Sequence, residues 1–479
     1  MTRPRRSILL VVHALPPAEH TGTPLVAYGY ARELAEAGWG VTVLSASVGA
    51  SPWAQFRPVQ HDSEAFVRLT VPPSSGMGTS WLDAWSAPVT RSGDPFLDVV
   101  PHVARALGFV QPDIVHVVDN VSLPLSIPEV CSDLGIPVVR SVSALEDLCT
   151  LVVPVSRYSG PSGFCDSPIT VEQCARCVGD ASSDRVIWLP PAAGQGSTGA
   201  QRHAELRRRI AAQRARAVHL YRDVYDMVLF ASEKFRTYFE QTLPLDPLRA
   251  RVLAMGVDAP AAQAVTTALP DEGAGSEEVR AARRRAPRPQ LGAPVTFLVA
   301  GNTHAAKGTG AVVSAFRHRE LAERGDWRLL LAGGGDRRLY GPLLDDDRVH
   351  DHGPYGPDEL AVLCARADVG ISASVFETFH RVTREYLLGG LPVIGSMAFG
   401  VSDVVVDGFN GLLFDHADGD GLRRVLVRLL EEPALLRRLA AAARATKIRS
   451  VAEEVAELVS VYEGVMALSA RRSRPRRGP

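Results

Sequence analysis

The sequence predicts an α/β protein built from two Rossmann-like, doubly wound domains. The chain has 479 residues, more than a single hydrophobic core usually organises. Near the N-terminus, an apolar strand at 7–13, a loop with Gly22 and a helix at 25–37 precede a second strand. This order of strand, loop, helix and strand is typical of a doubly wound sheet. The same order returns at 368–396, in the C-terminal half of the chain.

The stretch 368–396 is the most informative part of the sequence. It begins with DVGISAS, an apolar and β-prone segment that favours a buried parallel strand. A loop with Glu377 follows, and then a helical pattern at 380–390 that carries Glu385 and ends in two glycines. Open α/β sheets bind ligands at the carboxyl edge of their strands. The sequence therefore places two carboxylates near a ligand-binding edge.

Two interpretations of these carboxylates stay open on local grounds. In one, the N–H groups of the first helical turn, around 379–382, hold a phosphate. Glu377 then accepts hydrogen bonds from sugar hydroxyls, and Glu385 accepts them from a ribose, as acidic residues do in dinucleotide folds. In the other, both glutamates are ordinary solvated charges, which an isolated pair at this spacing favours.

The wider pattern resembles the nucleotide-sugar signature of retaining glycosyltransferases of family four. The signature has E-[ST]-F-G-x-x-x-x-E, two small residues and L-P-V-I, and the chain matches it at Glu377, Thr378, Phe379, Glu385, Gly389, Gly390, Leu391, Pro392, Val393 and Ile394. Downstream, GVSD (400–403) and DGFNGLLF (407–414) resemble further motifs of the family. The resemblance implies the GT-B fold, in which two Rossmann-like domains face each other across a cleft.

The resemblance also implies roles for individual residues. Lys307 matches the lysine of the family's G-R-x-x-x-x-K-G loop and is expected to stabilise the departing diphosphate, with Glu377 as the second catalytic residue. The predicted donor-binding residues are Gly22, Asn302, Lys307, Gly333, Glu377, Phe379, His380, Arg381, Val382 and Glu385. The expected reaction moves a sugar from a nucleotide-sugar, with UDP as the default nucleotide, to an acceptor hydroxyl with retention of configuration. No cofactor is expected to be required for catalysis.

Three departures from the family pattern keep other functions open. Asn302 stands where the loop usually has arginine, Ser143 where a histidine usually reaches the sugar, and His380 where glycine follows Phe379. Glu146 or Asp147 are candidates to take over the polar role near Ser143. The alternatives are a non-catalytic sugar-nucleotide-binding protein with the same fold, or another enzyme such as a nucleotide-sugar epimerase or a phosphorylase.

The composition of the chain limits the binding partners and the cellular compartment that we expect. The net charge of −1 gives no support to nucleic-acid binding. No run of 18 apolar residues is present, so no transmembrane segment is expected, and the apolar stretch at 7–13 fits a first strand better than a signal peptide. We therefore expect a cytoplasmic protein. The arginine-rich helix at 201–222 is expected to be a solvated face, while a peripheral membrane contact stays open.

Four cysteines at the end of the N-terminal half suggest a structural site. They fall within an insert at about 149–180, and they are Cys149, Cys165, Cys174 and Cys177. Four cysteines that end in C-x-x-C are a candidate tetrahedral zinc site, because thiolates suit Zn²⁺. A disulfide-type clip and unpaired thiols are the alternatives. We expect a structural role for this cluster rather than a catalytic one.

The pattern also divides the chain. We predict an N-terminal acceptor domain at 1–258, a flexible linker at 259–294 and a C-terminal nucleotide-sugar domain at 295–450. A helix at 451–470 is expected to cross back to the first domain, as in the GT-B fold, and a disordered basic tail follows at 471–479. Within the second domain, 422–447 is predicted to be amphipathic helix.

Overall fold

The computed structural model describes residues 6–16, 22–46, 66–71, 107–119, 126–149, 170–180, 199–258 and 293–472, apart from a few single positions inside these ranges. These residues form two compact units. The first contains the N-terminal sheet together with the helix that follows Ser450, and the second contains Met255–Ser450. The predicted linker at 259–294, apart from its last two residues, the basic tail from 473 onwards, Cys165 and Glu146 lie outside the described residues.

The first unit is built on a parallel sheet with the strand order β3-β2-β1-β4-β5-β6-β7. Its described strands are β1 (Ser7–Val11), β2 (Gly40–Ala46), β3 (Val67–Val71), β4 (Ile114–Val117), β5 (Val138–Val142), β6 (Met227–Phe230) and β7 (Ala250–Val252). Strand β1 is central, and Ile8 to Val11 are almost fully buried. Its continuous apolar sequence follows from this position, because helices cover both faces of a parallel sheet.

Along the sequence, the helices of the first unit lie between these strands, except for one that follows the second unit. The described ones are α1 (Gly22–Glu36), α2 (Ser126–Asp133), α3 (Val171–Asp180), α4 (Gly199–His219), α5 (Glu233–Thr242) and α13 (Val451–Arg472). The predicted helix at 201–222 is α-helical only as far as His219, and a π-helical turn at Leu220–Val224 continues it. The π-turn inserts an extra residue per turn and so redirects the side chains that follow.

Helix α13 is tied to the sheet through a buried polar network. The Tyr462 hydroxyl lies 2.6 Å from Nδ1 of His116 on β4, and Nε2 of the same ring lies 2.8 Å from the Ser141 hydroxyl on β5. Burial, and then the charge of Arg140, lower the pKa of His116 to about 3. His116 is therefore neutral, and it is a core residue of β4 whose two ring nitrogens both have partners.

The second unit contains a parallel sheet with the strand order β10-β9-β8-β11-β12-β13. The strands are β8 (Val295–Ala300), β9 (Trp327–Ala332), β10 (Val349–Gly353), β11 (Val369–Ser372), β12 (Val393–Ser396) and β13 (Gly411–Phe414). The described helices are α6 (Thr309–Arg317), α7 (Arg319–Ala322), α8 (Glu359–Ala365), α9 (Arg381–Leu388), α10 (Phe399–Ser402), α11 (Gly421–Glu431) and α12 (Pro433–Ala445). Two apolar clusters fill the space between sheet and helices.

These two sheets confirm the predicted fold class of two Rossmann-like, parallel-sheet domains. One prediction for the second unit was wrong in detail. The amphipathic stretch at 422–447 forms two helices, and the break falls at Glu432, with Pro433 at the start of α12. Proline has no N–H to donate and prefers the first helical turn, so it ends one helix and begins the next.

A buried ion pair in the first unit decides the role of Asp147. Its carboxylate lies 3.1 Å from the Arg140 guanidinium, and both side chains are fully buried. The Tyr221 hydroxyl, in the π-turn, also donates to Asp147, and Arg140 donates to the Val118 carbonyl at 3.2 Å. Asp147 is therefore a structural counter-ion inside the first unit rather than a polar group presented to a ligand.

Replacing Asp147 with asparagine should strongly destabilise the first unit. The change leaves the Arg140 charge buried without its counter-ion, which costs about 3–5 kcal/mol in comparable cases. Chemical denaturation measures the difference. Asp223→Asn is the matched control, because Asp223 forms an exposed pair with Arg222, and its midpoint should stay unchanged. Equal midpoints for Asp147→Asn and wild type would contradict the assignment.

Candidate active site

The candidate site lies at the carboxyl edge of the second sheet. Strands β8, β11 and β12 are neighbours and run parallel, so the loops that follow them leave the sheet on the same side. The loop after β8 carries Asn302 and Lys307, and the loop after β11 carries Glu377 and leads into α9. The structure thus brings together, within one unit, the residues that the sequence placed in two separate motifs.

A glycine at a crowded position holds the two loops together. Gly308 has a φ of +75°, and a Cβ atom built on it would lie 1.8 Å from the carbonyl oxygen of Ala373. Beside this contact, the Val375 N–H donates to the Ala306 carbonyl at 2.9 Å. Only glycine fits both the space and the left-handed backbone. The K-G pair in the sequence therefore has a definite structural reason: its glycine lets the lysine loop dock on the glutamate loop.

This docking places the Lys307 ammonium in an ion pair with the Glu377 carboxylate. The Ser374 hydroxyl also donates to Glu377, at 3.3 Å. Burial, the largest single influence, raises the pKa of the Glu377 carboxyl, but the charge of Lys307, the nearby His380 and the hydrogen bonds from Lys307 and Ser374 together outweigh it, and the net pKa lies below the ordinary value. The Lys307 side chain is 44% exposed and the Glu377 side chain 15%. The pair therefore presents an ionised acceptor and an accessible cation side by side.

The loop that carries Glu377 is fixed from its other end by Gly400 and Arg384. The Gly400 N–H donates to the Glu377 carbonyl at 2.9 Å, and a Cβ on Gly400 would lie within 2.5 Å of the Phe379 backbone. The Arg384 guanidinium stacks over the Phe379 ring at 4.0 Å and donates to the Gly400 carbonyl at 2.9 Å. Sequence reasoning assigned no role to Gly400, Arg384 or Ser374, although Gly400 stands in a matched motif.

His380 begins helix α9 from an unusual backbone conformation. Its φ is +50°, and among the described non-glycine residues only Gln111 shares a positive φ. The ring caps the helix, because its Nδ1 atom accepts the Thr383 N–H at 3.2 Å. Thr378 and Phe379 are buried in the preceding loop, and the first helical turn begins with Arg381 and Val382. The structure thus gathers all the predicted residues from Glu377 to Val382 at one helix start.

Glu385 lies one turn further along α9. Its carboxylate accepts a hydrogen bond of 2.6 Å from the Arg381 guanidinium, and its side chain is 13% exposed. The charge of Glu385 helps to raise the pKa of the nearby Tyr355 hydroxyl, after burial, which contributes most. Glu385 is therefore a charged, mostly enclosed acceptor near the same edge rather than a freely solvated side chain.

Asn302 and Gly333 lie at the ends of β8 and β9. A Cβ on Gly333, whose φ is +137°, would lie 1.8 Å from the Gly301 carbonyl oxygen. This close backbone contact explains the glycine without a ligand. The Asn302 side chain lies beside Gly334. Sequence reasoning missed the nearby Arg337, which donates to the Thr303 hydroxyl at 2.8 Å and pairs with Asp351.

Gly22 belongs to the first unit, where it is exposed and starts α1 with a φ of +41°. The first unit has its own polar group at the carboxyl edge of its sheet. Nδ1 of His13, after β1, lies 2.7 Å from the carboxylate of Asp119, after β4, and the His13 N–H donates to the same carboxylate. Sequence reasoning did not identify this pair. His13 ends the predicted strand at 7–13, and Asp119 directly follows the apolar run IVHVV, which was the available signal.

The described cysteines of the insert pack together but form no metal site among themselves. Cys149, Cys174 and Cys177 contact one small apolar cluster between α3 and α4. Burial raises the pKa of the Cys174 thiol, and Arg214 donates to its sulfur at 3.2 Å. No group of three ligands in the described part of the chain is arranged to hold a metal ion. The four-cysteine zinc site, which includes Cys165, stays a prediction.

The basic helix α4 is internally compensated. Its arginines pair with acidic residues on α2, α3 and α4 itself, namely Arg207 with Glu172, Arg208 and Arg209 with Glu205, and Arg216 with Glu129. Arg207 and Arg208 are exposed, in agreement with a solvated face, whereas Arg216 is buried in its pair with Glu129. Across the described residues, no helix combines the length and the apolar character that membrane crossing requires.

Comparison with known proteins gives the class to which this fold and site belong. Residues 294–432 match the model of the family "Glycosyl transferases group 1". The match covers the second unit from β8 to the start of α12, and it confirms the resemblance predicted from the motifs. The second unit is therefore similar to the domain that this family model describes.

Particular relatives support the same class. The chain is 36% identical over 137 residues to an MMP alpha-(1->4)-mannosyltransferase from Mycolicibacterium hassiacum, which is 28% of this chain and 33% of that protein. It is 34% identical over 195 residues to a D-inositol 3-phosphate glycosyltransferase from Xylanimonas cellulosilytica, 38% of this chain and 46% of that protein. The chain thus spans a third to just under a half of the length of these relatives.

Solved structures match over nearly the whole chain. Sucrose-phosphate synthase from Thermosynechococcus elongatus aligns with a TM-score of 0.62 at 18% identity, covering 97% of this chain and 100% of that chain. Anabaena HepE in complex with UDP and glucose aligns with a TM-score of 0.58 at 15% identity, covering 96% and 100%. These likenesses show the fold, which is GT-B.

The docking glycine gives a sharp test of the site's construction. Gly308→Ala should lose about 2–4 kcal/mol of unfolding free energy, since the new Cβ meets the Ala373 carbonyl and the positive φ is strained. Gly310→Ala is the matched control two residues away. A Cβ there meets nothing within 4 Å inside α6, so it should be neutral or stabilising by about 0.4–1 kcal/mol. Similar denaturation midpoints for the two variants would refute the docking.

Proposed function

We propose that the protein is a glycosyltransferase of the EC 2.4 class, which transfers a sugar from a nucleotide-sugar to an acceptor hydroxyl with retention of configuration. The observation that carries the proposal is the Lys307–Glu377 pair beside the start of α9. A cation next to an ionised, hydroxyl-accepting carboxylate suits a ligand that is both a diphosphate and a sugar. The family match of the second unit supports the same reaction class.

In this proposal the Lys307–Glu377 ion pair separates when the nucleotide-sugar binds. The Lys307 ammonium turns to the diphosphate, and the Glu377 carboxylate accepts hydrogen bonds from sugar hydroxyls. The amides of Arg381 and Val382, at the start of α9, add donors and the positive end of the helix dipole. Glu385, which pairs with Arg381, is the residue that we propose accepts hydrogen bonds from the ribose. We propose that this positive charge takes the place of a divalent cation, so that no cofactor is required.

The chemical step breaks the bond between the sugar C1 and the diphosphate oxygen and forms a bond from C1 to the acceptor oxygen on the same face, while the acceptor hydroxyl gives its proton to the departing diphosphate oxygen. Positive charge develops on the sugar ring, as in glycoside hydrolysis, and negative charge develops on the departing diphosphate. Lys307 stabilises that negative charge, and Glu377 holds the ring in register. Preorganised charges of this kind account for a large share of enzymatic rate enhancement.

UDP is the proposed nucleotide and GDP is the second candidate. The HepE structure was solved with UDP and glucose, and a relative from Corynebacterium glutamicum, 31% identical over 152 residues, is named a GDP-mannose-dependent alpha-mannosyltransferase. The proposed acceptor is a small molecule or a glycan. A sugar-nucleotide-binding protein without transferase activity would bind the same nucleotides, and donor turnover separates the two functions.

Thermal unfolding with UDP, GDP and dTDP tests the donor site without knowledge of the acceptor. One nucleotide at 100 times its Kd should stabilise the protein by about 2.7 kcal/mol. Glu385→Ala should abolish this shift, because the ribose loses its acceptor. Glu323→Ala is the control, since it removes the same Arg–Glu spacing from an exposed helix and should keep the full shift. No shift with any nucleotide would refute the proposed function.

Glu377→Gln should separate nucleotide binding from sugar transfer. The variant removes a negative charge next to the diphosphate and releases Lys307, so UDP should bind at least as tightly as in wild type. Donor turnover should fall by about 100-fold or more, since the sugar hydroxyls lose a charged acceptor. Calorimetry and release of sugar from UDP-sugar give the two quantities. Weaker UDP binding in step with lost turnover would contradict the division of roles.

A further inference from the structure

The histidine at the start of α9 occupies a position where its backbone is under strain. A non-glycine residue at a φ of +50° is sterically disfavoured, and the family pattern has glycine here. A side chain that is kept in spite of such strain is a candidate for a function of its own. The capping bond to Thr383 accounts for one ring nitrogen of His380. The capping bond does not explain the role of the other ring nitrogen, Nε2.

The capping bond fixes which ring nitrogen carries the proton. The backbone N–H of Thr383 can only donate, so Nδ1 of His380 must accept. The Thr383 hydroxyl lies 2.6 Å from the same Nδ1 and donates to the Ser372 hydroxyl at 2.8 Å. In the neutral imidazole the proton then sits on Nε2, which is a donor on the opposite side of the ring.

The surroundings keep this imidazole neutral. Burial lowers the pKa of His380 to about 4, although the Glu377 carboxylate acts to raise it, and the charges of Lys307 and Arg384 lower it further. These charged groups come from the loop after β8, the loop after β11 and α9. At neutral pH the ring is therefore an uncharged N–H donor beside the Lys307–Glu377 pair.

We propose that Nε2–H of His380 donates a hydrogen bond to a phosphate oxygen of the nucleotide-sugar. The inference rests on the proposed function of the same site. A helix start normally offers its first amides to a phosphate, but the His380 cap takes up the Thr383 amide. Nε2–H of the imidazole gives the site one N–H donor in place of the Thr383 amide. The site thereby gains a directed donor without a further positive charge, beside the charge that Lys307 already supplies.

His380→Asn separates this role from the capping role. Asparagine tolerates a positive φ and caps helices well, so the melting temperature should match wild type. Its amide ends one atom short of the Nε2 position. UDP affinity should therefore fall by about tenfold, the size of one hydrogen bond to a charged acceptor, while uridine affinity stays unchanged. Calorimetry for UDP and NMR titration for uridine provide the values, with GDP and guanosine as the probes if GDP is the nucleotide that stabilises the protein.

The outcomes distinguish this inference from the proposed function. If wild type binds no nucleoside diphosphate, the proposed function fails. If wild type binds UDP and His380→Asn binds it equally well, or loses UDP and uridine affinity in parallel, only the role of Nε2–H fails.

A spectroscopic measurement on wild type stands independently of how the variant folds. Long-range ¹H–¹⁵N correlation at pH 7 should show His380 as the neutral Nε2–H tautomer, with an Nε2–H resonance that shifts when UDP is added. The Nδ1–H tautomer, a protonated ring, or a resonance indifferent to UDP would overturn the inference.

Discussion

The contact between two backbones, at Gly308 and Ala373, is the constraint on which the site depends. A side chain on residue 308 would occupy the space of the Ala373 carbonyl, so the loops after β8 and β11 approach this closely only through a glycine. The approach in turn sets Lys307 against Glu377. Gly400 plays the same part on the far side of the glutamate loop, against the Phe379 backbone. Two glycine contacts thus hold the loop that carries Glu377 from opposite sides.

The fold class and the residues of the candidate site could be proposed from the sequence, because both correspond to regular sequence patterns. Buried parallel strands such as VTFLVA and DVGIS are continuous apolar runs, and the strand-to-helix order around Glu377 and Glu385 is fixed by spacing. The sequence did not predict that Lys307 pairs with Glu377. The two residues are 70 positions apart, and their contact depends on how far two loops fold over one edge of the second sheet. The break at Pro433 was visible in the sequence as a proline, but the apolar periodicity on both sides hid it.

Side-chain roles were harder to predict than positions. Asp147 follows a strand at a sheet edge, as a ligand-binding residue would, and only its burial against Arg140 shows that it is a counter-ion. His380 departs from the family motif, and from the sequence alone this counted against the site. The structure shows a ring with one nitrogen capping a helix and a neutral character imposed by burial. Burial and hydrogen-bond direction, which a linear pattern does not contain, decide these cases.

The packing of α13 has a consequence for the order in which the chain acquires its structure during synthesis. His116, in the middle of the first sheet, receives its partner Tyr462 from a helix that begins after the whole second unit. The ribosome therefore releases every residue of the second unit before the first unit can complete its core. Proteins with several domains usually fold from the N-terminus onwards. Here the first sheet can gain its Tyr462 partner only after the whole second unit has been synthesised.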